Sequence, residues 1–294
     1  MNANSNIEIS VVVPTFNEEG NVALLASELK TVLDQLQISA YEIIFIDDCS
    51  TDDSVVIVKY FQSKFHNLKL FCLSKNVGFA NALNFGLNKI SSNFTVRIDP
   101  DDIFHPERIE RQINFLKSNP KIDILGSNIT YFSRIISESI GSSNFPRNHK
   151  HIRDRYEKGY HGLVHGSIMI KTNILKDNRY NQETVPAEEY DLFSRLLKSG
   201  FLSYNLEESL TFVRIHNASA SNNYPISTFE KISLLQKRYW GIEMSKYSFY
   251  RKYLMIYFYR KSLTNVLLKR YFFTLLSVIL APSLIINRIK KQFK

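Results

Sequence analysis

Between Ile9 and Ile98 the chain alternates short runs of β-branched and aromatic residues with segments of helical period. Ile9-Ser-Val-Val-Val13 is expected to form a buried strand closed by Pro14; residues 41–46, 68–73 and 94–98 supply the next three. Residues 19–36 set Val22, Leu25, Leu29, Val32, Leu33 and Leu36 on one helical stripe, and residues 52–64 and 78–90 continue the alternation. Such a chain folds by right-handed crossovers into an α/β protein, a mainly parallel sheet flanked by helices on both faces. Sheets of this class bind ligands at the carboxyl ends of their strands. Here those ends are Pro14-Thr-Phe-Asn-Glu18, Asp47-Asp-Cys-Ser50, Ser74-Lys-Asn76 and Asp99-Pro-Asp-Asp102. Two of them are carboxylate clusters.

Farther along, residues 107–116 are predicted helical, 122–131 strand-like, 133–158 irregular, and 165–170 another strand. Residues 187–199 form a helix whose acids suit its positive end, closed by Gly200. The last 70 residues differ in character. Residues 225–294 hold 14 Lys/Arg against Glu230 and Glu243, a net charge of +12, whereas residues 1–224 carry −3. This predicts one domain over 1–224 and a helical, basic, aromatic-rich region over 225–294. Residues 271–286 are uncharged and bracketed by Lys269-Arg270 and Arg288, Lys290 and Lys291. A span needs about 20 apolar residues, and Pro282 interrupts this run, so a helix lying in an anionic membrane surface is expected. Nucleic acid is disfavoured, because the cations share their segment with that uncharged run. With 44% hydrophobic residues, 10 Gly and 8 Pro, the composition excludes disorder and collagen-like repeats. Two cysteines and a polar start lacking a signal-peptide pattern point to the cytoplasm.

Asp99 and Asp101, one residue apart at a strand end, can share a hard cation such as Mg²⁺ or Mn²⁺; Asp-Pro-Asp-Asp is also good turn chemistry. Asp47 and Asp48 suit a base N–H or a ribose hydroxyl, and equally the cap of the helix that follows. Thr15 and Asn17 suit a polar turn. Glu188, Glu189 and Asp191 can be dipole-favoured surface acids.

In order, these pieces resemble a known family. Ile9-Ser-Val-Val-Val-Pro-Thr-Phe-Asn17 followed by Ile43-Ile-Phe-Ile-Asp-Asp-Cys-Ser-Thr-Asp52 looks like the opening of family-two glycosyltransferases of the GT-A fold. Asn76-Val-Gly-Phe-Ala-Asn-Ala-Leu-Asn-Phe-Gly86 is similar to that family's Asn-x-Gly…Asn-x-Gly helix, and Val96-Arg-Ile-Asp-Pro-Asp-Asp102 to its DXD element. Residues 108–127 resemble the Arg…Gln…Phe-Leu…Asn-Pro…Asp…Gly-Ser run, and Ala187-Glu-Glu-Tyr-Asp-Leu-Phe193 the motif carrying the catalytic base.

The resemblance implies a metal-dependent, inverting transfer from a nucleotide-diphosphate sugar, UDP-linked, with Mn²⁺ or Mg²⁺ as cofactor. Thr15 and Asp48 would hold the uridine, with Asp47 and Glu18 nearby. Asp99 would meet the ribose or metal-bound water and Asp101 the metal, with Asp102 as the alternative ligand. The base position, an aspartate in the family, is held by Glu189, with Asp191 the second candidate. His216, in Arg214-Ile-His-Asn217, falls where some relatives place a further metal or phosphate contact, and as a lone histidine also has a structural reading. The basic tail implies a lipid-linked saccharide acceptor at the inner face of the cytoplasmic membrane, as in surface-polysaccharide synthesis of the O-antigen or capsule type. A nucleotidyltransferase would want a Gly-rich basic loop where Pro14-Thr-Phe-Asn-Glu-Glu19 stands, and a dinucleotide oxidoreductase a G-x-G-x-x-G. The departure at Glu189 keeps a catalytically inactive sugar-nucleotide-binding scaffold as the alternative.

Overall fold

The computed structural model describes residues 7–36, 40–133, 136–215, 225–262 and 267–280. Its first half contains β1 (Ile9–Thr15), α1 (Val22–Gln35), β2 (Tyr41–Asp47), α2 (Ser54–Lys64), β3 (Leu68–Cys72), α3 (Phe79–Leu87) and β4 (Phe94–Arg97). These strands lie side by side in the order β3-β2-β1-β4, all parallel. Every residue of β1 is buried, as a strand covered on both faces requires. On one face Val11, Val13, Ile43 and Phe45 meet Leu25 and Leu29 of α1 in a single buried cluster. On the other, α3 approaches so closely that a Cβ on Gly86 would run into Ile46 and touch Val12.

β1 does not stop at Pro14 but continues to Thr15. The Val12 carbonyl accepts from Ile98 N–H, so even-numbered residues of β1 face β4, and that pairing ends at Val12–Arg97. A residue without an N–H therefore withdraws no ladder bond there.

The chain continues through β5 (Ile103–Phe104), α4 (Arg108–Ser118), β6 (Ile124–Phe132), β7 (Ser139–Ser142), α5 (His149–Glu157), β8 (Met169–Lys171), α6 (Thr172–Asp177), α7 (Glu188–Lys198) and β9 (Ser203–Arg214). β8 pairs antiparallel with β4, and the sheet extends β8-β6-β9-β5, with β7 on β6. The sheet is thus mixed: its parallel half is the one the alternation predicts. Two local expectations need correction. Residues 133–158 contain β7 and α5; α5 is capped by Asn148, which accepts from His151 N–H at 3.1 Å, but buries only Ile152 and Tyr156. So thin an apolar stripe escapes a periodicity reading. Residues 165–170 open with a 3₁₀ turn at His165–Ser167, and the strand begins only at Met169.

The Arg…Gln spacing of α4 has a structural cause. Arg108 is fully buried; its Nη2 donates to the Arg97 carbonyl at 3.0 Å and its Nε to Gln112 Oε1 at 3.2 Å. Gln112 Nε2 donates in turn to the Ser167 carbonyl at 2.8 Å. Burial weakens the guanidinium's hold on its proton, and the Asp102 carboxylate opposes that. One buried pair thereby ties α4 to the end of β4 and to the His165–Ser167 turn.

Contacts divide the chain into a unit of residues 1–129 with 143–213 and a second of 130–142 with 214–294. The second contains α8 (Ile226–Trp240), α9 (Lys246–Lys261) and α10 (Leu267–Leu280). Phe229 of α8 is buried against Phe249 at 4.8 Å between ring centroids. α9 and α10 pair: Arg251 Nε donates to the Leu280 carbonyl at 2.6 Å, and the Ser277 hydroxyl to the Met255 carbonyl at 3.2 Å. The opposite side of α10 is bare, with Leu268, Tyr271, Phe272, Leu275 and Ile279 between 57% and 85% exposed. Residues 271–286 are helical to Leu280; the remainder of that run lies outside the described residues. Among the described residues no helix is long and apolar enough to cross a membrane.

Candidate active site

The loops after β1 and β2 are laced together. Asn17 N–H donates to Ser50 Oγ at 2.9 Å, Thr51 N–H returns to Asn17 Oδ1 at 2.8 Å, and Glu18 N–H reaches Ser54 Oγ at 2.7 Å. These bonds hold two non-glycine residues in the left-handed region, Asn17 at φ 55° and Cys49 at φ 67°. Such strain persists where the surroundings over-determine it, characteristically at functional loops. Thr15 is buried, its hydroxyl directed at the Val13 carbonyl at 3.4 Å. Glu18 Oε2 accepts from Asn21 Nδ2 at 2.7 Å.

The two adjacent aspartates have different tasks. Both oxygens of Asp48 accept backbone N–H groups, from Val77 at 2.7 Å and Gly78 at 2.9 Å, fixing the entry to α3. Asp47 accepts from Ser50 N–H at 3.0 Å and leaves Oδ1 buried without a hydrogen-bond partner. Neither caps α2. The N-cap is Asp53, which makes no side-chain cap bond, and Asp52 Oδ1 just ahead of it accepts from Ser54 N–H at 3.0 Å.

At the end of β4, Pro100 and Asp101 form a turn and Asp102 N–H bonds the Asp99 carbonyl at 3.3 Å. Arg97, buried in β4, ion-pairs with Asp99 and lies over the Phe79 ring at 4.9 Å. Burial opposes its charge, but Asp99, Tyr180 and Asp102 outweigh that and hold the guanidinium above its ordinary value. A Cβ placed on Gly166 would stand 2.9 Å from Asp99 Oδ2 and 3.3 Å from Asp102 Oδ2. The glycine thus leaves these two oxygens a common open side, with Asp101 half-buried on the turn between them. Hard carboxylate oxygens on one loop fit a hard divalent cation. Among the described residues no three His, Cys, Asp or Glu side chains gather to hold a metal.

At the start of α7, Glu189 is about one-third exposed. Its Oε1 lies 3.6 Å from His161 Nδ1 and its Oε2 3.8 Å from His165 Nδ1. His165 Nε2 lies 2.6 Å from the Tyr180 hydroxyl. Burial, with Arg97 and His161 close, pushes the His165 imidazole well below its ordinary range, so it is neutral near pH 7. Burial raises the Glu188 carboxyl, whose Oε2 is enclosed without a hydrogen-bond partner. Asp191 is fully buried and ion-paired with Arg195 at 2.9 Å. His216 lies outside the described residues.

The His165–Ser167 turn therefore brings the acids after β4 and those opening α7 to one rim: Gly166 borders Asp99 and Asp102, and His165 faces Glu189. Sequence reasoning missed Arg97, His161, His165, Gly166 and Tyr180. Only Arg97 carried a signal, as a cation between Val96 and Ile98 in a strand otherwise bound for the interior.

Comparison with known proteins identifies the family and the fold. The family profile described as Glycosyl transferase family 2 matches residues 10–179. The amylovoran biosynthesis glycosyltransferase AmsE of Erwinia amylovora is 27% identical over 205 residues, 70% of this chain and 75% of that one. Among solved structures, Staphylococcus aureus TarS 1–349 in complex with UDP-GlcNAc superposes with a TM-score of 0.63 at 20% identity, covering 90% of this chain and 78% of TarS. The mannosyltransferase PcManGT of Pyrobaculum calidifontis, solved with GDP-Man and Mn²⁺, gives 0.58 at 14% identity, covering 94% of this chain and 74% of that one. At these identities the structures establish the fold, and the fold is GT-A.

Proposed function

The chain belongs to glycosyl transferase family 2, and we propose that it moves a sugar from a nucleotide-diphosphate sugar to an acceptor hydroxyl at the rim formed by β4, the His165–Ser167 turn and α7. The observation that carries this reading is the turn itself: one residue borders the carboxylates Asp99 and Asp102, and its neighbour faces the carboxylate Glu189. Transfer needs two such groups, one at the leaving diphosphate and one at the incoming hydroxyl.

Glu189 takes the hydroxyl proton as the acceptor attacks the anomeric carbon. Asp191, locked to Arg195 in the interior, is not placed for that task. A single displacement with the base on the far face inverts the anomeric centre. Asp101, with Asp99 or Asp102, would hold Mn²⁺ or Mg²⁺, and bound there the cation offsets the charge gathering on the diphosphate. Arg97 beneath the loop relieves the mutual repulsion of these carboxylates. The nucleoside end belongs to the loops bearing Thr15, Glu18 and Asp47, with Asp48 bracing the Val77–Gly78 backbone beside them. The complexes of TarS with UDP-GlcNAc and of PcManGT with GDP-Man and Mn²⁺ support the donor class and the cation. Thermal unfolding against a panel of nucleotide sugars tests this. At a donor concentration 100 times its Kd, stabilisation of about 2.7 kcal/mol is expected with the metal present. A flat response to every donor counts against the reading.

Residues 1–224 then carry catalysis and 225–294 attachment. The bare face of α10 has the i, i+3, i+4, i+7 spacing of a surface-binding helix, with exposed Lys269 and Arg270 beside it. Near an anionic leaflet each cation contributes about 1 kcal/mol. A lipid-linked saccharide at the inner face of the cytoplasmic membrane, in surface-polysaccharide assembly, is the acceptor this arrangement suits. AmsE, named for amylovoran biosynthesis, supports that setting. The full chain is expected to sediment with anionic vesicles at low salt, and the double variant Phe272→Glu with Leu275→Glu to stay in solution. Equal sedimentation of both removes α10 as the anchor.

A further inference from the structure

The Glu189 carboxylate is bracketed by two imidazoles, one at each oxygen, and the second of these is held from behind. A carboxylate only accepts, so for His165 Nδ1 to serve the Glu189 carboxylate it faces at 3.8 Å that nitrogen has to carry the hydrogen, which leaves Nε2 to accept from the Tyr180 hydroxyl at 2.6 Å. The ring has little freedom to do otherwise: Phe79, Tyr180 and Phe193 pack edge-on around it at centroid distances of 5.9, 5.4 and 6.2 Å. His161 is fixed in the same manner by Tyr156 at 6.2 Å and Tyr190 at 5.7 Å.

We propose that His165, set in its Nδ1–H tautomer by Tyr180, is a positioning residue that aims the Glu189 carboxylate at the acceptor hydroxyl, with His161 steadying the other oxygen. The inference rests on the reading of Glu189 as the base. Its physical motive is the length of that side chain. A glutamate has one more rotatable bond than the aspartate usual at this position, and each extra rotor loosens the aim of a base. Two imidazole donors, themselves immobilised by aromatic rings, remove that freedom once they close on the carboxylate. The separations of 3.6 and 3.8 Å exceed a hydrogen bond, and contacts of this kind tighten when substrate arrives. Glu189, about one-third exposed, has room to close them.

The test has two readouts on the full chain. In ¹⁵N-histidine NMR, the signal that disappears in His165→Gln is expected to show the Nδ1–H tautomer in the wild type and to change in Tyr180→Phe. An Nε2–H tautomer in the wild type overturns the proposal without any assay. The second readout is UDP release from UDP-GlcNAc with Mn²⁺. Tyr180→Phe is expected to lower kcat about tenfold, the size of one lost hydrogen bond, with KM unchanged. His165→Asn, which keeps a donor where Nδ1 stood, should retain more kcat than His165→Gln. Equal losses in Asn and Gln, tracking their loss of thermal stability, reduce His165 to packing and overturn the inference. Should Glu189→Gln release UDP at the wild-type rate, the base assignment itself fails, whatever tautomer His165 holds.

Discussion

Asp101→Asn is expected to lose transfer by on the order of 10²-fold or more, with the melting temperature unchanged and with metal no longer strengthening nucleoside-diphosphate binding. The residue sits on the turn after β4, whose neighbours Asp99 and Asp102 share the open side that Gly166 leaves. Removing its charge subtracts a hard oxygen ligand, while the Arg97, Arg108 and Gln112 contacts that hold the loop stay as they were. Isothermal titration of UDP with and without Mn²⁺ reads the binding directly. Full activity in Asp101→Asn, or wild-type activity undiminished by excess chelator, would show that the loop does not work through a cation.

Glu189→Gln is expected to bind donor as the wild type does and to lose transfer by on the order of 10²-fold or more, the usual consequence of deleting a general base. The amide keeps the shape and exposure of the side chain at the start of α7 but cannot take a proton. Asp191→Asn is the informative companion. It breaks a buried ion pair with Arg195, so its loss belongs in thermal stability, with kcat per folded molecule retained. The reverse pattern, a dead and fully stable Asp191→Asn beside an active Glu189→Gln, would move the base two residues along the helix.

How far these sites were legible in the sequence depends on the range of the contacts that build them. The run Ile9-Ser-Val-Val-Val13, the stripe from Val22 to Leu33 and the carboxylates at strand ends are local patterns, and each maps onto an element of the parallel half. The antiparallel half is made of long-range pairings such as Val96 with Met169, for which a three-residue strand leaves no periodic trace. The same holds for chemistry. Glu189 announced itself within a motif, whereas His165 and Tyr180 join it only through the fold, across 24 and nine residues of chain. Asp48 shows the opposite limit. A strand-end aspartate looks the same in sequence whether or not, as here, each of its oxygens also braces a backbone N–H, those of Val77 and Gly78.

Sugar transfer at this rim from a nucleotide-diphosphate donor can be read from nucleoside-diphosphate release. Purified full-length protein would be given each nucleotide sugar of a panel with Mn²⁺, with and without chelator, beside Glu189→Gln. Wild-type protein is expected to release nucleoside diphosphate from at least one donor, with release abolished by chelator and reduced on the order of 10²-fold by Glu189→Gln. Tight donor binding with no release from any member of the panel would contradict that reading and leave an inactive sugar-nucleotide-binding protein in its place.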